Sequence, residues 1–83
     1  MTTKNRASSR SKFRYNPLWK LLIDRGIKKK DLQEMSGISP ASVAKLGRCE
    51  NVTTDVLLRI CDALDCEVQD IMERVPAEVL EAH

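Results

Sequence analysis

Aromatic residues, histidine, glycine and long apolar runs are all scarce in this chain. Phe13, Tyr15 and Trp19 are the only aromatic side chains among 83 residues, so the core has to be aliphatic, which suits packed helices. Apolar runs reach only three residues, as at Leu21-Leu22-Ile23, far short of a membrane span. Residues 1–12 are basic and polar with no apolar segment behind them, so no signal peptide is visible. The one histidine is His83, at the far end of the sequence, which leaves no Ser/His/Asp or Cys/His set. Three scattered glycines build no phosphate-cradling loop. Acid pairs such as Asp62 and Asp65 sit on a helix rim and read as solvated surface. A chain of this length makes one small domain with a modest core and no deep cleft. The expectation is a protein that is not an enzyme, needs no cofactor and takes no small-molecule substrate.

Three cysteines, Cys49, Cys61 and Cys66, are an odd number without paired spacing. That argues against a disulfide framework and for free thiols in a cytoplasmic protein. Their gaps match no zinc pattern, so no metal site is expected. Cys61 reads as a small core hydrophobe.

Charge is scarce in sum but not in distribution. The formal net charge is +2, yet residues 1–30 hold ten Lys/Arg and one acid, Asp24, while residues 31–83 hold four Lys/Arg and eleven acids. Two readings fit: a basic face or arm that meets a polyanion, or a solubilising tail. The motif that follows favours the first.

Leu32 to Leu46, LQEMSGISPASVAKL, carries two short helical patterns that meet at Gly37. Leu32 and Met35 share one face of the first; Val43 and Leu46 share one face of the second. Gly37 suits a positive φ that ends a helix at little steric cost. Ile38 is expected to plug the corner, Ser39 to cap the second helix, and Pro40 to occupy its first position, where a missing N–H costs nothing. Two helices joined by a short glycine-bearing turn make a helix-turn-helix.

At these residues the chain resembles the Cro/repressor-type, λ-repressor-like (XRE) family of helix-turn-helix DNA-binding domains. The matching positions are Leu32, Gly37, Ile38, Ser39, Val43, Ala44 and Leu46. The likeness continues through Asn51 to Leu58 and Ile60 to Leu64, which look like that family's fourth helix, and covers roughly Pro17 to Val75. Two positions depart from the pattern. Gln33 stands where a small residue, often alanine, is usual, and Lys29 stands where the second helix often opens with glutamine. The resemblance implies a compact, all-α, five-helix domain from a bacterial or phage transcription regulator, acting as a repressor. Its partner would be double-stranded DNA, with homodimerisation the usual arrangement on paired half-sites and with no membrane contact.

Along the chain, residues 1–12 form an expected flexible basic arm, 13–75 the folded domain and 76–83 a short acidic tail. The arm is either a strand-following element using Arg10, Lys12 and Arg14, or a tail with no role. Phe13, Arg14 and Tyr15 look extended. Asn16 is the expected cap of a first helix with Pro17 behind it and Gly26 as its stop. Trp19 reads as packing rather than as a base-stacking residue.

Lys28, Lys29 and Lys30 precede Asp31 at a helix start, where the helix dipole disfavours cations. Phosphates docking there would supply compensation; a solvated charge run is the plainer reading. In the candidate recognition helix, 39–46, the resemblance implies that the first turns enter the major groove. Ser39, Pro40, Ala41, Ser42, Ala44 and Lys45 are then the groove-facing set, with Arg48 and Asn51 at the backbone or groove edge. Serines can donate or accept, alanines can touch a thymine methyl, and Lys45 can reach guanine or a phosphate. No Asn, Gln or Arg stands in those first turns to make a bidentate base contact, so DNA shape would carry part of any discrimination. Thr53 is the expected cap of the fourth helix and, with Thr54, a second phosphate site. Val68, Ile71, Met72 and Val75 are expected to face inward from a fifth helix ended by Pro76, with Val79 and Leu80 covering the core or a dimer contact.

The competing function is a protein-interaction module of the same fold. A weak recognition helix and an acidic second half fit it.

Overall fold

The computed structural model describes residues 11–77; residues 1–10, Val79 and Leu80, and the expectations that fall on them, lie outside that part. In chain order the elements are strand β1 (Lys12–Arg14), helix α1 (Asn16–Arg25), α2 (Lys29–Ser36), α3 (Pro40–Gly47), α4 (Thr54–Leu64), a 3-10 turn (Val68–Asp70) and strand β2 (Glu73–Val75). The described residues therefore hold four α-helices, not the expected five, and a two-stranded sheet.

The segment expected as a fifth helix is the main correction. Val68–Asp70 makes a single 3-10 turn, and Glu73–Val75 runs antiparallel to β1, with Lys12 opposite Val75, Phe13 opposite Arg74 and Arg14 opposite Glu73. Two physical causes act together. Pro76 disfavours a helical Val75, because its ring crowds the preceding backbone. The Phe13 strand offers backbone partners at the same place. Ile71 and Val75 do face inward, at 0% and 4% exposure, since a spacing of four also serves a turn followed by a strand. Val68 does not; it is exposed. Lys12, the last residue of the expected arm, is part of the sheet. Arg14 is tied to Glu73, its Nε 2.6 Å from Oε2.

The first helix starts beside a buried ring. Tyr15, not Asn16, is the residue before it, and no side chain caps that end. Tyr15 is 3% exposed and its hydroxyl donates to the carbonyl of Glu50 at 3.3 Å. Burial, with the neighbouring Cys49 adding to it, keeps the Tyr15 hydroxyl above its usual pKa. Gly26, at φ 68°, ends α1 in the left-handed conformation that glycine adopts freely.

One aliphatic core holds the helices together. Leu18 and Leu22 from α1, Leu32 from α2, Ile38 from the turn, Leu46 from α3, Ile60 and Leu64 from α4, and Ile71 are buried with Tyr15. Trp19, Val43, Val52, Val56, Leu57, Cys61 and Met72 pack against its edge. Met35 is not in this set. It is half-exposed, and the inward partner of Leu32 on α2 is Ser36, one turn on. Ser36 is accommodated because its hydroxyl donates to the Leu32 carbonyl at 2.7 Å and accepts from the Ile38 N–H at 3.4 Å. Its hydroxyl thus links the last turn of α2 to the corner. Arg25 of α1 reaches the last carbonyl of α4, at Leu64, closing the far end of the bundle.

Candidate nucleic-acid interface

The corner is built by local backbone chemistry. Gly37 stands at φ 74° and its N–H returns to the Gln33 carbonyl at 2.9 Å, closing α2. A Cβ at Gly37 would meet only the Arg59 side chain at 3.6 Å, an ordinary contact, so the left-handed backbone rather than space calls for glycine. Ile38 follows, 5% exposed, and fills the corner. Ser39 caps α3: its Oγ accepts from the Ser42 N–H at 3.1 Å and donates to the Ser42 hydroxyl at 3.1 Å. Pro40 then opens the helix. Gln33, where the family pattern has a small residue, is only half-buried and leaves Leu32 and Leu46 fully covered.

Held this way, α3 buries Leu46 and half-buries Val43, leaving its first turns outward. Ser39, Pro40, Ala41, Ala44 and Lys45 are exposed and Ser42 is half-buried. No acid stands in the first turn of α3. The positive end of that helix thus carries only small and neutral groups, with Lys45 one turn further on.

The end of α2 differs from expectation. Lys28, Lys29 and Lys30 are all exposed. The Asp31 carboxylate accepts from the Lys28 N–H at 3.1 Å, and the Lys29 ammonium lies 4.6 Å from the centre of the Trp19 ring. Carboxylate and ring face supply within the chain the compensation that a bound phosphate was invoked to give. Trp19 is accordingly a packing residue that also seats a cation. The spacing of Asp31 three residues after Lys28 is a capping signal that could have been read earlier.

The fourth helix repeats the capping of the third. Thr53 Oγ1 accepts from the Val56 N–H at 3.3 Å. Asp55 stands in this first turn and pairs with Arg59 at 2.7 Å, so this end carries its own acid. Thr54 and Asp55 also border a shallow groove of about 570 Å³ floored by Leu57, Leu58, Cys61, Cys66 and Val68. Burial pushes the Cys66 thiol up to about 11, and Cys61 is raised for the same reason, so both stay protonated at neutral pH.

Between α3 and α4 the chain turns through Cys49, a non-glycine residue at φ 58°. Arg48 and Glu50 flank it and form a two-pronged pair, Nε to Oε2 at 2.7 Å and the second guanidinium nitrogen to Oε1 at 3.1 Å. These hydrogen bonds hold the Glu50 carboxyl below the usual carboxylate range, with the charges of Arg48 and Lys45 adding to them. Sequence reasoning named Arg48 and missed Glu50, because a carboxylate two residues away carries no spacing signal. Asn51 is exposed and borders a hollow of about 450 Å³ with Ser11, Lys12, Phe13 and Arg74. The root of the basic N-terminal segment therefore lies beside the loop that follows α3. Arg10 lies outside the described residues.

A helix packed on the core, a glycine corner and a capped, outward-facing second helix define a helix-turn-helix domain. Residues 17–77 match the model of the Cro/C1-type HTH DNA-binding domain, and the chain belongs to that family. This is a DNA-binding family and not a family of enzymes. Among solved structures the chain is similar to transcriptional regulator VanUg, at 52% identity over 80% of this chain and 88% of that one, with a TM-score of 0.77. No curated protein matches it. Among the described residues no helix is long and apolar enough to cross a membrane.

Proposed function

We propose that this domain is a sequence-reading transcriptional repressor of the cytoplasm and nucleoid that lays the first turns of α3 in the major groove of DNA. The observation that carries the reading is the acid-free, small-faced, exposed start of α3 beside Lys45. Ser39, Pro40, Ala41, Ser42 and Ala44 approach base edges closely, and Lys45 reaches a guanine or a phosphate. Lys28, Lys29, Lys30, Arg48 and the Thr53–Thr54 helix end hold the strands on either side, while Asn51 borders them. Lys12, which borders the same hollow as Asn51, adds positive charge there, and Arg10 and Arg14 are the further contacts of the basic arm. Two copies on half-sites about one helical turn apart would read a palindrome. Similarity to a protein named as a transcriptional regulator supports the regulatory role.

Selection of bound duplexes from a random pool tests this reading, with Lys45→Ala and Lys29→Ala beside the wild type. Base readout is supported by loss of the selected motif in Lys45→Ala. Backbone contact is supported by uniform weakening across sequences in Lys29→Ala, with a salt slope lower by about one. A second reading, a protein-interaction module, is favoured by the apolar groove around Leu57, Leu58 and Val68, where Leu58 is 59% exposed. Absence of any enriched duplex, and of binding at low ionic strength, would decide for it.

A further inference from the structure

The turn after α3 places the Glu50 carboxylate in the fork of Arg48. Arg48 caps the end of α3, and Cys49 then reverses the chain in a left-handed conformation that non-glycine residues adopt at a cost. The reversal is held on both sides: the Glu50 N–H donates to the Lys45 carbonyl at 2.8 Å, and the Glu50 carbonyl accepts from the buried Tyr15 hydroxyl. Glu50 has a fixed backbone as a result, and its side chain meets the fork of Arg48 with both oxygens. Two parallel N–H···O contacts are the arrangement by which a guanidinium also grips two phosphate oxygens. Both side chains are about half-exposed, at 58% for Arg48 and 48% for Glu50, so water and a polyanion reach the pair.

We propose that Glu50 is an internal stand-in for a DNA phosphate, which Arg48 exchanges for the real one when a duplex docks. This deepens the DNA-binding reading and rests on it. Docking breaks the two contacts to Glu50 and forms equivalent contacts to a strand. The carboxylate thereby lowers affinity for every duplex alike, because the contact it competes with is to the backbone and carries no sequence information. An exposed ion pair holds its partner weakly, so the restraint is small and readily overcome by a strand.

The test is a double-mutant cycle read by binding to a short mixed-sequence duplex at low ionic strength, using the full chain as wild type, Glu50→Gln, Arg48→Ala and the double variant. Circular dichroism confirms that each is folded, as expected for exposed side chains. Glu50→Gln is expected to tighten binding roughly two- to fivefold in the wild-type background. In the Arg48→Ala background the same change is expected to gain clearly less, because no pair remains to be broken. Equal tightening in both backgrounds would reduce Glu50 to a repelling charge and overturn the exchange. Weakened or unchanged binding in Glu50→Gln would make Glu50 a buttress for Arg48 and overturn it as well. In either case a wild-type protein that still binds the duplex leaves the DNA-binding reading standing. A wild type that binds no duplex sinks both.

Discussion

The starts of α2 and α3 lie eleven residues apart in the chain and meet the same electrostatic problem in opposite ways. Each exposes the unpaired N–H groups and the positive end of a helix dipole. At α2 the chain adds three lysines and then neutralises the end itself, with Asp31 on the Lys28 N–H and the Trp19 face under Lys29. At α3 it adds no charge: Ser39 satisfies one N–H, Pro40 removes another, and no acid stands in the first turn. Charge density alone would pick α2 as the anion site. The partners show that α2 supplies its own compensation, while α3 starts without an acid.

Five substitutions test that contrast. Leu46→Ala should have the largest effect, since Leu46 is fully buried and anchors α3 to the core. A loss of about 2–5 kcal/mol in chemical denaturation is expected. Met35→Ala, on the exposed side of α2, should stay within roughly 0.5 kcal/mol in the same measurement. A large loss at Met35 would mean that α2 is docked on a different face.

Ser39→Ala comes next. It should cost about 1 kcal/mol of stability through the lost cap of α3, as should Thr53→Ala at α4. The two should separate in duplex binding. Ser39→Ala weakens binding beyond what its stability loss explains, and Thr53→Ala weakens it less, because Asp55 already offsets that end. Equal effects on binding would erase the distinction between open and compensated helix ends.

Asp31→Asn should cost less than either cap, at about 0.3–1 kcal/mol of lost stability from removing a carboxylate at a helix start. Duplex affinity should move the other way and tighten, since an unneutralised cluster of three lysines is then left at that end. Stability and affinity both falling would show that Asp31 shapes the binding surface rather than screening it.

Much of the candidate site is legible in the sequence because it is local. Gly37, Ile38, Ser39 and Pro40 act on neighbours within four residues, and each does what its chemistry predicts. The same holds for the Thr53 cap and for Ile60 and Leu64 on α4. Ser36 was less legible: Leu32 pairs with Met35 or with Ser36 at nearly equal helical spacing. Hydrophobicity favours the methionine, yet the corner needs a hydroxyl to bind the Ile38 N–H. Lys29 and Trp19 stand ten positions apart on different helices, so only packing brings ring and ammonium together.

What the sequence determined by itself is the helix-turn-helix, since glycine conformation, side-chain caps and apolar periodicity all act over one or two turns of chain. The fate of Val68 to Val75 was settled by packing at long range. Its residues suit a short helix or a turn and strand about equally, and the choice fell to a partner that lies 59 residues earlier, at Arg14. A strand is stable only where another backbone completes its hydrogen bonds, and that neighbour is set by how the helices between them pack.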